Sequence, residues 1–230
     1  DTGWVSSDST IELPNNSSIW NADKNTIGVN EPVKLTWTSD QNITFEKIIT
    51  LDENYLFSVD QRVINNSGLS FDLYPYGLSK RQGIPEMQNF FILHEGPLSI
   101  TDGVLEEYDY DDLKDDKKIK HSSVGGWIGM TDKYWQTAII PNQNEPVQQT
   151  YSYSFVNNID NFQTDIVGER IAVSNNASIS HNFKIFAGPK IVNIIDKYME
   201  EYGFDGFDRS VDFGWFYFLT KPIFNVLEFI

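Results

Sequence analysis

The side chains best suited to acid–base chemistry in this 230-residue chain are its three histidines and its many carboxylates. An imidazole acting as acid and a carboxylate acting as base could catalyse proton transfer on a sugar, provided that both face the same ring. Each histidine also has a simple structural explanation: His94 stands beside Glu95 in a predicted strand, His121 follows a lysine-rich loop, and His181 lies in a predicted turn. Because geometry comes first in assigning a catalytic site, we predict that the protein is not an enzyme.

The densest group of carboxylates is the stretch EEYDYDDLKDDKKIK, residues 106–120. A calcium loop beginning at Asp109 would need a ligand, a turn glycine and a closing glutamate where the chain has Leu113, Lys114 and Lys120. The stretch is therefore predicted to be a solvated, mobile hairpin or loop, as is typical of charge runs. Zinc-ligand spacing, a glycine-rich phosphate loop and a nucleophile elbow are also missing, so the sequence predicts no cofactor and no metal.

The charge balance is strongly acidic, with 33 aspartates and glutamates against 17 lysines and arginines and a net charge of −16. Nucleic-acid backbones and anionic lipid headgroups both repel such a chain, so nucleic-acid binding is not expected. The chain has no cysteine. Its stability must therefore come from a hydrophobic core rather than from disulfides.

Apolar and polar residues alternate along most of the chain up to about residue 187. Such alternation in short runs rich in β-branched and aromatic residues predicts strands. Turn residues, as in NNSG and NQNEP, separate the runs. Many short strands without intervening helices predict antiparallel sheets packed as a sandwich or a barrel. The predicted strands are VKLTWTS, TFEKIITL, NYLFSVDQRVI, LSFDLYPYG, NFFILHEGPLSI, QTAIIPN, QTYSYSFV and NFKIFAG.

The spacing of apolar residues becomes helical after Gly188. In PKIVNIIDKYMEEYG, Pro189 suits a first helical turn and Gly203 suits the position just past the end. The sequence thus predicts a β-sandwich over residues 1–187, followed by an amphipathic helix over 188–203 that packs on it. The predicted apolar face consists of Ile191, Ile194, Ile195, Tyr198 and Tyr202.

The C-terminal stretch SVDFGWFYFLTKPIFNVLEFI is mostly apolar or aromatic. Thr220, Lys221 and Pro222 interrupt it before it reaches the roughly 20 residues that a membrane-spanning helix needs. Because aromatic side chains with a polar edge favour the membrane–water boundary, residues 204–230 are predicted to form a linker and an interfacial helix. A buried core helix is the alternative. The predicted membrane-facing residues are Trp215, Phe216, Phe218, Leu219, Ile223, Phe224 and Leu227.

Two further stretches are long enough to be specific: SSVGGWIGMTDKYWQTAIIPNQN at 122–144 and FKIFAGPKIVNIIDKY at 183–198. Together with the C-terminal stretch, and in the same order, they resemble the first large periplasmic loop of the YidC family of bacterial membrane protein insertases. FILHEGPL is a weaker match to the same family. The family-motif positions are Gly125, Gly126, Trp127, Pro141, Gly188, Pro189, Asp212, Gly214 and Pro222.

The resemblance implies an all-β-dominated fold, an antiparallel β-supersandwich of the galactose-mutarotase-like kind closed by C-terminal α-helices. It implies a location on the periplasmic side of the bacterial inner membrane, with an absent second transmembrane span following residue 230. The implied function is that of an accessory scaffold for membrane protein insertion, alone or with the Sec translocon. The implied partners are SecDF, SecYEG, nascent membrane proteins and the lipid interface.

Two alternatives remain open at the level of sequence. One is a carbohydrate-binding or mutarotase-like protein, because a fold does not fix a function; its sugar platform would use Trp4, Trp20, Trp135, Tyr151 and Tyr153. The other keeps the insertase family but makes a groove of the sandwich a chaperone-like site for apolar peptide segments.

Overall fold

A computed structural model describes residues 1–85 and 93–211 together with the single position Ile223. Most of the regular secondary structure is strand, with two short α-helices and one 3-10 helix, Phe207–Ser210, among the described residues. The α-helices are α1 (Tyr110–Asp116) and α2 (Val192–Tyr202). The strands are β1 (Thr2–Val5), β2 (Asn21–Ala22), β3 (Val33–Thr38), β4 (Ile43–Leu51), β5 (Leu56–Asn65), β6 (Phe71–Gln82), β7 (Gly96–Thr101), β8 (Val104–Glu107), β9 (Lys118–Val124), β10 (Trp127–Thr131), β11 (Trp135–Ile140), β12 (Pro146–Val156), β13 (Ile159–Gly168), β14 (Ile171–Val173) and β15 (Ala177–Pro189).

The first sheet has six strands, with β1, β6, β13, β12 and β9 paired in that order and β14 paired with β6. Its strands show the alternation expected from the sequence: in β6, buried and partly exposed side chains alternate from Phe71 to Gly77. Asn157 and Asn158 join β12 to β13 with φ angles of 53° and 61°. This left-handed backbone is what a two-residue hairpin turn requires, and asparagine tolerates it.

The second sheet has nine strands in the order β2-β3-β4-β5-β15-β11-β10-β7-β8. All strand pairs in both sheets are antiparallel, which confirms the predicted fold class. Seven of the eight predicted runs correspond to strands, namely β3, β4, β5, β6, β11, β12 and β15. In NFFILHEGPLSI, β7 begins only at Gly96, so the prediction that His94 lies in a strand was wrong.

Side chains from both sheets fill the space between them. One cluster joins Ile128, Ile139 and Phe183 of the nine-stranded sheet to residues of β12 and β13 such as Tyr151 and Phe162. A second cluster, further along the sandwich, includes Trp4 and Phe45. Removing these apolar surfaces from water is the main force that holds the sheets together.

The outer face of the nine-stranded sheet is covered by the C-terminal helices. Side chains of α2 and of the following segment pack on this face, and Phe207 touches Trp127 and Phe186 at right angles. The covering side chains are Ile195, Tyr198, Phe204 and Phe207. The molecule therefore has three layers: sheet, sheet and helices. No helix in the described part of the chain is long and apolar enough to cross a membrane.

Helix α2 differs from its predicted form at its start. Trp135 pairs with Pro189, which extends β15 to that proline, and the helix begins only at Val192. Pro189 therefore does not lie in the first helical turn. Gly203 ends the helix with φ 67°, as predicted. Of the predicted apolar face, Ile195 and Tyr198 are buried, whereas Ile191 and Tyr202 are exposed and Val192 takes part in the buried surface instead.

The acidic stretch 106–120 is not a mobile loop, and that prediction was wrong. It contains the end of β8, the helix α1 and the start of β9. Tyr110 and Leu113, three positions apart on α1, are buried against the core between the sheets. The Tyr110 ring packs on Phe162, with 4.6 Å between ring centroids, and its hydroxyl accepts a hydrogen bond from Arg81 at 2.9 Å. The charged residues around Tyr110 and Leu113 face solvent, so the sequence alone does not show that these two side chains are buried.

Replacing Leu113 with alanine is expected to lower the free energy of unfolding by about 2–4 kcal/mol, because a fully buried leucine leaves a cavity. Urea denaturation followed by tryptophan fluorescence measures the change. The matched control is Asp115→Ala at an exposed position of α1, which should change stability by less than about 0.5 kcal/mol. Identical urea midpoints for the two variants would show that α1 does not pack on the core.

Candidate functional site

The motif residues Gly125 and Gly126 form a tight turn that leads into β10. Both have positive φ, 66° and 71°. A Cβ atom on Gly126 would lie 2.1 Å from the carbonyl oxygen of Ile100, and one on Gly125 would lie 2.4 Å from that of Gln143. Only glycine fits at either position, because any side chain would overlap the neighbouring backbone.

Trp127, the third residue of this motif, connects the turn to the C-terminal segment. Its side chain is fully buried, and its Nε1–H donates a hydrogen bond to the carbonyl of Asp205 at 3.2 Å. Its indole ring packs edge-on against Phe207, with 5.6 Å between ring centroids. The motif tryptophan thus holds the chain that follows α2 against the sheet.

Gln143 joins the three parts of this region. Its side-chain oxygen accepts hydrogen bonds from the backbone N–H of Gly126 at 3.2 Å and of Asp205 at 3.1 Å. Its side-chain nitrogen donates to the carbonyls of Gly126 and Pro141, both at 3.0 Å. One amide therefore fixes the glycine turn, the loop after β11 and the start of the C-terminal segment. The sequence pattern did not single out Gln143, since nothing distinguishes it from the neighbouring amides Asn142 and Asn144.

A cleft of about 550 Å³ lies beside this loop. β11 pairs with β15 only from Lys184 to Pro189. On that side of β15, residues 177–183 have no strand beside them in the described part of the chain. Loop 141–145 and the end of α2 close the cleft around this open edge. Its accessible walls are mainly polar side chains with the partly exposed Ile171, and the buried side chains of Ile140 and Phe204 lie behind them.

His181 and Glu145 form a pair in the cleft wall. His181 lies in β15 and not in a turn, so that prediction was wrong; the strand is longer than its apolar run suggested. Its Nε2 lies 2.9 Å from the Glu145 carboxylate, and its side chain is only 6% exposed. Its Nδ1 is buried and has no hydrogen-bond partner among the described residues. The pair holds loop 141–145 against the edge of β15.

Asn182 and Lys184, two further polar residues of the cleft, also have partners. Asn182 donates to Asp60 at 2.7 Å, and Lys184 donates to Ser58 at 3.1 Å while its Nζ lies 5.1 Å from the centre of the Tyr202 ring. Burial, and then the Glu201 carboxylate, raise the pKa of Tyr202, so its phenol stays protonated and can donate a hydrogen bond. The cleft therefore offers donors, acceptors and an aromatic face to a bound chain.

The histidines do not combine into a sugar-processing pair. The Glu145 carboxylate and His181 bind each other at 2.9 Å rather than facing a common space from two sides. His94 contacts the carbonyl of Pro97 at 3.1 Å, and His121 contacts the Tyr108 hydroxyl at 2.8 Å. In residues 1–85 and 93–211, no group of three or more histidine, cysteine or carboxylate side chains is placed to hold a metal ion.

The aromatic residues considered for a sugar platform are dispersed. Trp4 and Trp20 belong to one cluster between the sheets, and Tyr151 and Tyr153 belong to the other. Trp135 alone among the five is exposed, at 58%. They do not form a common surface, so the structure does not favour the sugar-platform alternative, and Trp4 and Tyr151 take the core positions that are usual for aromatic residues in strands.

The other predicted positions divide between described and undescribed residues. Pro141 is buried at the end of β11, and a Cβ on Gly188 would lie 2.6 Å from the Cβ of Tyr55. Ile223 has helical backbone and is 50% exposed. The remaining predicted residues lie outside the described part of the chain: Asp212, Gly214, Trp215, Phe216, Phe218, Leu219, Pro222, Phe224 and Leu227.

These features define a two-sheet β-sandwich domain whose C-terminal helices are tied into it through a glycine turn and a glutamine. The chain belongs to the YidC periplasmic-domain family, whose model matches residues 1–226. The family predicted from the three sequence stretches is thus confirmed.

Curated relatives agree with this assignment. The membrane protein insertase YidC of Rickettsia canadensis is 40% identical over 228 residues, which are 99% of this chain and 41% of the relative. The YidC of Rickettsia bellii has the same identity and coverage, and that of Rickettsia rickettsii is 39% identical over 230 residues. The chain spans about 41% of the length of these relatives.

Two solved structures were also found as structural neighbours. A putative aldose 1-epimerase from Klebsiella pneumoniae has a TM-score of 0.49 at 9% identity, covering 78% of this chain and 56% of its own. A galactose mutarotase related enzyme from Lactobacillus acidophilus has a TM-score of 0.49 at 10% identity, covering 73% of this chain and 70% of its own.

Replacing Gln143 with alanine is expected to destabilise the protein by about 2–3 kcal/mol, because it removes four hydrogen bonds and leaves partly buried backbone groups unpaired. The matched control is Asn144→Ala, one residue on and exposed, with an expected change below about 0.5 kcal/mol. Hydrogen exchange of the Gly126 and Asp205 amides should accelerate in the Gln143 variant only. Unchanged protection of both amides would contradict the role given to Gln143.

Proposed function

We propose that this chain is the periplasmic domain of a bacterial membrane protein insertase and acts as a rigid scaffold on the outer face of the inner membrane. The family match over residues 1–226 supports the domain assignment. The relatives, of which this chain spans about 41%, bear the name of membrane protein insertases. In this proposal the domain is not itself an enzyme, in keeping with the mutual engagement of His181 and Glu145.

The observation that carries the scaffold role is the attachment of the C-terminal segment to the sandwich. Trp127 and Gln143 bind the backbone of Asp205, and Arg209 donates to the carbonyl of Gly103 at 2.8 Å. Phe204 and Phe207 are buried in the same region. A segment fixed by hydrogen bonds and aromatic packing transmits the orientation of the sandwich to whatever follows it. A flexible linker could not do so.

We further propose that the aromatic stretch after residue 211 lies at the lipid interface, as its composition indicates. The acidic sandwich, with its share of the net charge of −16, would then project away from anionic headgroups. Sec components, SecDF and SecYEG, are the expected protein partners of the outward surface.

A second role is contact with emerging polypeptide in the cleft. The open edge of β15 supports it, because an extended peptide can add to an unpaired strand edge through backbone hydrogen bonds. The partly exposed Ile171 would accept an apolar side chain of a nascent membrane protein. Carbohydrate binding is the alternative occupant of the same cleft.

Replacing Phe216, Phe218 and Phe224 with serine in the full-length protein is expected to reduce membrane insertion of a substrate by about tenfold or more, since anchoring scales with buried apolar area. Insertion is measured by protease protection in proteoliposomes. The control is Asp111, Asp112 and Asp115, all exposed on α1, replaced together with asparagine. Equal insertion by the two triple variants would contradict the anchor.

A photo-crosslinking residue at Ser180, in the cleft wall, is expected to label a nascent inner-membrane protein during insertion. The same residue at Ser154, distant from the cleft on the β12–β13 hairpin, is the control and should not label it. Equal labelling from both positions, or from neither, would contradict the polypeptide role. Saturable sugar binding on a glycan array that is abolished by Asp60→Ala would assign the cleft to carbohydrate.

A further inference from the structure

The open edge of β15 presents backbone groups that can pair with another strand. The N–H of Ala187 donates to the carbonyl of Tyr55 at 3.1 Å, and the N–H of Lys190 donates to the carbonyl of Tyr134 at 2.8 Å. Because backbone groups alternate sides along a strand, odd-numbered residues of β15 face β5 and even-numbered residues face the side of β11. The residues whose N–H and C=O groups face the open edge are therefore Ser178, Ser180 and Asn182.

Loop 141–145 lies along part of this edge. It begins after Ile140, whose strand partner is Lys184, and it returns to the edge where Glu145 contacts His181 at 2.9 Å. An added strand would run about 4.8 Å from β15 and in line with β11, through the same space. A chain that pairs with the whole open edge therefore has to displace the loop.

Hydrogen bonds make this loop a compact turn. The N–H of Glu145 donates to the carbonyl of Asn142 at 3.1 Å, and the N–H of Asn144 donates to the Asn142 side chain at 3.1 Å. The carbonyl of Glu145 accepts from the N–H of Gly125 at 2.9 Å. Because these bonds tie the two ends of the loop to each other and to the glycine turn, a displacement of Glu145 also moves Gln143, two residues earlier.

The other side of the loop holds segment 204–211, which follows α2. Gln143 accepts a hydrogen bond from the N–H of Asp205 at 3.1 Å, and Trp127 donates to the carbonyl of the same residue at 3.2 Å. Phe204, one residue earlier, lies behind the cleft wall. Displacement of the loop removes the bond from Gln143, so the backbone at Asp205 is held less firmly and opens more readily.

We infer that an extended polypeptide bound in the cleft loosens segment 204–211, because both compete for the position of loop 141–145. The inference rests on the proposed contact with emerging polypeptide and adds regulation to it. An empty cleft leaves the segment tied to the sandwich, whereas an occupied cleft weakens that tie. The effect is reciprocal: any change that loosens the segment must tighten polypeptide binding by the same factor.

The open edge also defines the form of the bound polypeptide. Ser178 and Asn182 are four positions apart, which corresponds to about 13–14 Å of strand. The bound segment is therefore an extended stretch of about five residues that pairs through its backbone. A segment with proline at every second position lacks the N–H groups for this pairing.

The coupling can be tested without a ligand. Glu145→Ala removes the contact of the loop with β15 and leaves Gln143 in place. In the full-length protein, we expect hydrogen exchange of the Asp205 amide to accelerate by about fivefold or more. Glu145→Gln, which keeps a hydrogen-bonding side chain opposite His181, should restore most of the protection. Asn144→Ala, at an exposed position of the same loop, is the control and should not change the exchange.

A second test uses a fluorescein-labelled peptide of about eight alternating threonine and valine residues with blocked ends. Binding of this peptide to the full-length protein is measured by fluorescence anisotropy. We expect it to accelerate exchange of the Asp205 amide and to bind Glu145→Ala and Gln143→Ala protein about threefold or more tightly than wild type. The same peptide with proline at every second position should not bind.

The outcomes separate this inference from the proposed function. Unchanged exchange at Asp205 in Glu145→Ala protein would overturn the coupling, whether or not the peptide binds. Peptide binding that leaves this exchange unchanged would do the same, while the polypeptide role would stand. Absence of nascent-chain labelling from Ser180 would refute the polypeptide role itself. Thermal melting checks that the variants remain folded.

Discussion

In neighbouring strands β15, β11, β10 and β7 of the nine-stranded sheet, apolar side chains leave the backbone on both faces and have to be removed from water on both. Strands β7 and β10 show this most clearly, since nearly every residue in them is buried. Antiparallel sheets usually expose one face, and strands buried on both read as continuous apolar runs. The six-stranded sheet covers one face and the helices cover the other. Neither cover is dispensable, because losing either would expose a contiguous apolar surface.

The family-motif residues help to bury both faces of the nine-stranded sheet. Gly126 allows the backbone to turn directly over Ile100, and Trp127 then enters the outer core, where it meets Phe207. Gln143 satisfies backbone groups on the glycine turn and at Asp205, where no strand or helix could pair them. In the same loop, the Glu145 carboxylate contacts His181, and the loop thereby forms one wall of the cleft. Closure of the outer core and formation of the cleft are therefore consequences of one arrangement.

The sequence predicted the parts of the fold that depend on local periodicity. Most strands followed from alternation, and Gly203 followed from helix termination. The failures concern long-range contacts. Leu113 and Tyr110 anchor α1, but two buried side chains among many charges give no periodic pattern. Pro189 was assigned to a helix because the sequence could not show that Trp135 pairs with it. Gln143 and the His181–Glu145 pair join residues that are distant in the chain, so no local spacing indicates them.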